Sequence, residues 1–225
     1  MKKMQFNARL SAFLMGAAVA VPALAQSQIP DEERRNNYWA VQGGVNHLSS
    51  WPGVVDFGGP RADATLTLKR GSTFGLVLGR QYGKARYDIE YQHGSLKVSD
   101  VKLAALSQAV SASIKYDVLT VNAYRQGRFS DSMLGFVGIG VGYGRVNLPT
   151  IGLSNGCKCF SEASRGSGVV QVRTGLDYEL SEDGLAYLQL GWTRLPGAKS
   201  GALPSVTYGR RSVAMLSVGY RGRFN

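Results

Sequence analysis

The chain has 225 residues, 44% of them hydrophobic, with 29 glycines and a formal net charge of +11. That length supports one domain with a sizeable buried surface. Helix-period stretches are scarce, and no run past the N-terminus approaches the roughly 18 apolar residues of a membrane helix. A helical membrane protein is thereby excluded and an all-β domain is expected.

Residues 1–25 carry an export pattern. Lys2, Lys3 and Arg9 are basic, Leu10 to Val21 is apolar, and Ala23-Leu24-Ala25 is a small-x-small cleavage site. This is the layout of a secretory signal peptide. Gln26 then begins the mature chain and, not being cysteine, rules out lipidation there. Cleavage removes three cations and no acid, so the exported protein stays basic, and anionic lipid is a better expected partner than nucleic acid. An exported chain without a membrane helix either stays soluble or enters a membrane as a closed barrel.

Gln26 to Asn37, centred on Asp31 to Arg35, reads as a polar lead-in, leaving residues 38–225 for the domain. The first strand is expected at Tyr38–His47, with Trp39, Val41, Gly43 and Val45 alternating against Ala40, Gln42, Gly44 and Asn46. Leu48–Arg70 has loop composition. The second strand, Ser72–Tyr82, sets Phe74, Leu76 and Leu78 against Gly75, Val77, Gly79 and Gln81. Arg80 falls on its apolar face, from where it can snorkel.

A tight turn at Gly83-Lys84 leads to the third strand, Ala85–Gln92, where Ala85, Tyr87, Ile89 and Tyr91 alternate with Arg86, Asp88, Glu90 and Gln92. Ser95–Ser111 is a connection that forms either a short amphipathic helix or an extension of the hairpin. In the fourth strand, Ile114–Arg125, the apolar parity switches between Val118 and Leu119, which marks a bulge or an end outside the membrane. The fifth strand, Leu134–Val146, alternates Val137, Ile139, Val141 and Tyr143 with Gly138, Gly140, Gly142 and Gly144. Such glycines relieve crowding in a narrow interior; a phosphate-cradling loop would not alternate with β-branched residues.

Asn147–Ser167 reads as a long loop with both cysteines. The sixth strand is expected at Gly168–Leu180, a turn at Ser181–Gly184, the seventh strand at Leu185–Arg194, a loop at Leu195–Gly209, and an eighth strand at Arg210–Asn225. Long connections follow the odd strands and short ones the even strands, the asymmetry of outer-membrane barrels. In a soluble lipocalin-type barrel the charged faces would point out, whereas in lipid the apolar faces point out and the charges pair inside. Glycine on the charged faces, which suits a narrow interior, and aromatics near the strand ends favour lipid. The expected fold is all-β, an eight-stranded antiparallel transmembrane up-and-down barrel. Trp39, Tyr82, Tyr87, Trp192 and Phe224 are the expected interfacial aromatics.

Four segments, Tyr87–Tyr91, Asn122-Ala123-Tyr124, Val137–Tyr143 and Gly219–Phe224, make the chain resemble the OmpA-like and opacity-type family of eight-stranded outer-membrane proteins. The resemblance implies a non-enzymatic envelope or adhesin-like surface role. It also implies recognition of the last strand, with Gly219, Tyr220 and Phe224, by the barrel-insertion machinery. The family usually ends on the aromatic, whereas here Asn225 follows Phe224.

Arg86, Asp88, Glu90, Arg173, Asp177 and Glu179 are expected to form a lumen salt-bridge network, because charges in a narrow interior must pair to offset desolvation. Arg86 is the expected central partner. No catalytic residue, cofactor or metal site is expected. Two further functions remain in view: a narrow porin-like channel, and a lipid A deacylase using His93 and Ser95, for which the sequence offers no orienting carboxylate. Cys157 and Cys159 form a small, strained local disulfide or none, with pairing between molecules an alternative and a metal site, which would need further ligands, last. Arg61, Lys69, Arg70, Lys97, Lys102, Lys158, Arg165 and Lys199 sit in the expected external loops, as a cationic rim facing lipopolysaccharide phosphates or a host surface whose ligand the sequence does not name.

Overall fold

The computed structural model describes residues 35–154, 156, 160–201 and 203–224. The expected signal peptide, the expected lead-in up to residue 34, Cys157 to Cys159 and Asn225 lie outside the described residues. Twelve strands and no helix form among the described residues: β1 (Arg35–His47), β2 (Ser50–Asp56), β3 (Arg61–Lys69), β4 (Gly71–Tyr82), β5 (Ala85–Leu103), β6 (Leu106–Arg128), β7 (Met133–Leu148), β8 (Ala163–Glu179), β9 (Gly184–Leu195), β10 (Ala198–Lys199), β11 (Ser205–Tyr208) and β12 (Arg211–Phe224).

The ladders define two stacked cycles. In the lower one, β1, β4, β5, β6, β7, β8, β9 and β12 pair antiparallel in that order, and β12 pairs back to β1 from Asn37↔Phe224 to His47↔Ala214. In the upper one, β2, β3, β5, β6, β7, β8, β10 and β11 pair in order, and β11 pairs back to β2. The strands β5 to β8 run through both. At the waist, each of the other four lower strands gives way to a separate upper strand. Both described chain ends and the short turns lie at the bottom, where Arg223 N–H donates to the Asp183 carbonyl at 2.8 Å and Gln126 N–H to that of Lys84 at 2.8 Å.

Several expected loops are strands. Leu48–Arg70 is the β2–β3 hairpin, Ser95–Ser111 extends the β5–β6 hairpin rather than forming a helix, and β10 and β11 occupy the Leu195–Gly209 stretch. Within the expected Asn147–Ser167 loop, β7 runs on to Leu148 and β8 begins at Ala163. The first strand starts at Arg35, inside the expected lead-in. The parity switch in the expected fourth strand is not a bulge: burial in β6 alternates without interruption from Ile114 to Gln126.

What changes along the strand is the chemistry of the two faces. In β5, Arg86, Asp88, Glu90 and Gln92 are buried while Tyr87, Ile89 and Tyr91 are exposed; further up, Leu96 and Val98 are buried while Lys97 is exposed. β6 mirrors this. Asn122 and Thr120 lie inside against Val121 and Leu119 outside, then Tyr116 and Ile114 inside against Lys115 outside. The lower cycle is polar inside and apolar outside, and the upper cycle is the reverse. A bulge preserves the pattern higher up: Ser99 is an extra residue opposite Thr67 and Leu68, so Val101 and Leu103 also point inward.

The upper interior is a packed core of Trp51, Leu66, Leu96, Ile114, Val146, Leu195 and Val206, each fully buried, closed by Phe160 and Tyr208. Trp51 spends its polar atom on the waist, its indole N–H donating to the Gly209 carbonyl at 2.7 Å. Each fully buried aliphatic or aromatic chain contributes about 1.5–3 kcal/mol, so the upper cycle has its own source of stability.

Leu66→Ala is therefore expected to lower unfolding stability by about 2–5 kcal/mol through the cavity it opens. Leu78→Ala, on the exposed face of β4, leaves no internal cavity and costs much less. Urea titration of the protein refolded in detergent compares the two.

Candidate functional site

Two constellations carry chemistry: the charged interior of the lower cycle and a polar cluster on its outer wall.

The interior holds three cations and three carboxylates, Arg86, Arg173, Arg221, Asp88, Glu90 and Asp177, all buried. Alternation delivers them: Arg86, Asp88 and Glu90 are every second residue of β5, Arg173 and Asp177 share the inner face of β8, and Arg221 lies on that of β12. Asp177 is the node at the bottom. Its Oδ2 accepts from Arg221 at 2.8 Å, from Gln126 at 3.0 Å and from Arg86 at 3.4 Å. One layer up, Asp88 is held by neutral donors, the Tyr38 hydroxyl at 2.6 Å and Asn122 at 2.7 Å. Above it, Glu90 accepts from Arg173 at 2.7 Å and from Gln42 at 2.6 Å.

Aromatic rings share the work. The Arg86 guanidinium lies 4.2 Å from the Tyr124 ring centroid and 4.8 Å from that of Phe136, and Arg221 lies 5.1 Å from that of Tyr187. Such contacts stabilise a desolvated cation by roughly 2 kcal/mol. The glycine stripe makes room for these rings: a Cβ at Gly138 would sit 2.1 Å from the Tyr124 ring, and one at Gly219 would sit 2.4 Å from Tyr187. The void left between the layers is about 10 Å³, roughly the volume that holds one water centre.

Of the expected network, Glu179 sits instead at the bottom rim, 3.5 Å from Arg223 and 3.6 Å from Arg128. Among the described residues Asp88 has no arginine within salt-bridge distance. The expected centre, Arg86, is one of two arginines on Asp177, and the node is the carboxylate. Arg221 belongs to the network although it is absent from the expected set. Its spacing on an alternating face was the available signal.

On the outer wall, His93 of β5 is paired in register with Asp117 of β6. His93 Nδ1 lies 2.8 Å from Asp117 Oδ1, which also accepts from the Tyr91 hydroxyl at 2.7 Å. The orienting carboxylate that the sequence reading could not find is thus on the neighbouring strand. Ser95, by contrast, faces Ser72, with its Oγ at 3.3 Å from that hydroxyl.

Trp39, Tyr82, Tyr87 and Trp192 all point outward and are exposed. Trp39 packs on Tyr220, ring centroids 5.7 Å apart, and lies over Gly222. Tyr82 meets Tyr87 edge-on at 6.3 Å, with the Arg80 guanidinium 5.3 Å from the Tyr82 ring. Among the described residues no cluster of three or more metal-ligating side chains forms.

Two stacked antiparallel cycles with an exposed apolar band are a fold that solved small outer-membrane β-barrels also have. Neisserial surface protein A is similar over 83% of this chain and 97% of its own, with a TM-score of 0.51 at 14% identity. The outer-membrane protein OprG of Pseudomonas aeruginosa is similar over 84% and 97%, with a TM-score of 0.57 at 18% identity. No family model matches the chain, and no curated protein matches its sequence.

Two outcomes test the site. Arg173→Met strands the buried Glu90 and is expected to cost about 3–5 kcal/mol. Arg86→Ala costs less because Asp177 keeps Arg221, and an unchanged unfolding midpoint for Arg86→Ala would remove it from the network.

Proposed function

We propose that the chain is an eight-stranded up-and-down β-barrel spanning the bacterial outer membrane, exported by its signal peptide. In this reading the upper cycle stands on the outer surface, and the protein serves as a non-enzymatic envelope component displaying that cycle for adhesin-like contacts. The observation that carries it is the inversion of the faces. Ile139 is 66% exposed and Leu78 65%, while Asp177 is 0% and Arg173 2% exposed. Buried paired charges behind an exposed apolar wall are stable where the surroundings are hydrocarbon.

The short turns and both described chain ends then face the periplasm. The outer wall meets membrane lipid and lipopolysaccharide. The last strand, with Gly219 and Tyr220 closing on β1 and Phe224 exposed beside them, is the part offered to the insertion machinery. A host or surface ligand would meet the top of the upper cycle.

The porin-like alternative is disfavoured by the interior. Eight strands leave a bore that side chains fill, the lower void is about 10 Å³, and the apolar core lies above it. For the deacylase one observation does favour a second reading: the His93–Asp117 pair stands on the outer wall, where lipid esters would lie. The hydroxyl does not complete it, because Ser95 is engaged with Ser72 rather than with the imidazole.

The expected result in outer-membrane fractions is a gel band whose mobility shifts on heating, with no steady conductance in planar bilayers. Absence from that fraction sinks the membrane reading, and reproducible channels would revive the porin. Lipid A from expressing cells should keep all its acyl chains; loss of a chain that reverses in His93→Ala would establish the esterase.

A further inference from the structure

The charges on the outer wall are unevenly placed. Directly above the last exposed apolar residues, at the waist, the exposed side chains include the cations Lys69, Arg70, Lys97, Lys115, Arg145, Arg194 and Arg210. Asp117 is the one outward carboxylate at that height among the described residues, and it already accepts from His93 and Tyr91. None of the seven cations lies within salt-bridge distance of a described carboxylate. Higher up the balance changes: Asp56, Asp63, Asp100 and Glu162 accompany Arg61, Lys102, Arg165 and Lys199. Above the apolar band the positive excess is concentrated at the waist.

One side of this collar is contiguous. Lys69 of β3 is paired directly with Lys97 of β5, and like charges directly opposite each other on a sheet destabilise it. Lys97 is opposite Ser113, one step along the same face from Lys115, and Arg145 is opposite Asp117, one step the other way. Lys97, Lys115 and Arg145 are therefore diagonal neighbours with Cβ atoms about 7–8 Å apart. Two long cationic side chains at that spacing can converge on one tetrahedral anion, and such an anion relieves the Lys69–Lys97 repulsion.

We infer that the row Lys69, Lys97, Lys115 and Arg145 is a binding site for the phosphates of the phosphorylated glycolipid of the outer leaflet. The inference rests on the outer-membrane placement above. In that placement the row stands where the apolar band ends and the lipid headgroups begin, so the phosphate arrives attached to a molecule whose acyl chains lie along Leu119, Tyr143 and Tyr91, all exposed below the row. A free phosphate has no such second contact.

The test uses the full-length mature protein refolded into phosphatidylcholine vesicles. The added lipids are diphosphorylated lipid A, its dephosphorylated form, or phosphatidylglycerol. Diphosphorylated lipid A is expected to raise the wild-type unfolding temperature more than either of the others. The double variant Lys97→Gln/Lys115→Gln should fold but bind lipid A more weakly, by roughly fivefold for each cation removed. The control pair Arg61→Gln/Lys199→Gln should behave as wild type. Equal lipid A affinity in wild type and the collar variant overturns the site. Equal response to phosphatidylglycerol overturns the glycolipid assignment. Failure of the wild type to float with vesicles of any composition is a different result, since it removes the membrane reading itself.

Discussion

The structure depends on one constraint: every second side chain of a strand shares a face, and each face must suit the medium it meets. The strands β5 to β8 exchange their apolar and polar faces without breaking stride. Below Gln92 the outward residues of β5 are Tyr87, Ile89 and Tyr91; above it they are His93, Ser95 and Lys97. No change of register separates the two stretches. Because alternation is fixed by backbone geometry, composition on each parity sets which way the strand is apolar, and here it switches at one height on adjacent strands.

The interior follows from the same switch. Where the outside is apolar, the inside receives the polar parity, and charge must then be neutralised in a space that excludes water. The network balances by count, three arginines to three carboxylates, with two arginines on Asp177, one on Glu90, and neutral donors on Asp88. Removing one member costs more than the pair contributes, because the survivor is left buried and unpaired. Where the outside becomes polar, the inside can be hydrocarbon, and Leu96, Ile114 and Val146 pack over the charged layers. A fully polar bore would leave more room for water; the apolar core is what seals the top.

Much of this was legible in the sequence. The lower strands of the wall could be read from alternation alone, as could the buried charges, since a face carrying Arg86, Asp88 and Glu90 opposite Tyr87, Ile89 and Tyr91 has few alternatives. The upper cycle was hidden because Leu48–Arg70 and Leu195–Gly209 are rich in Gly, Pro and Ser, which reads as loop. Trp51, Val55, Leu66 and Leu68 lie within the first of these and are all core. The switch itself was visible in the expected fourth strand, between Val118 and Leu119, but one strand cannot distinguish a bulge from a change of medium; the neighbouring ladders do. Pairings such as His93 with Asp117 depend on cross-strand register between separate segments, and a single sequence carries no direct record of that.

The waist is where the two regimes meet, and the chain marks it in three ways. Four of the eight lower strands stop there and hand over to separate upper strands, while β5 to β8 continue. Trp51 and Gly209 join the levels by a hydrogen bond. Outside, the cations gather at the same height. A break in the ladder leaves backbone polar groups in need of partners, which is affordable in a polar headgroup layer and costly in hydrocarbon. The strand breaks and the cations thus belong to the same level for one physical reason: it is the first height above the apolar band at which the outer wall carries polar and charged groups without an internal partner.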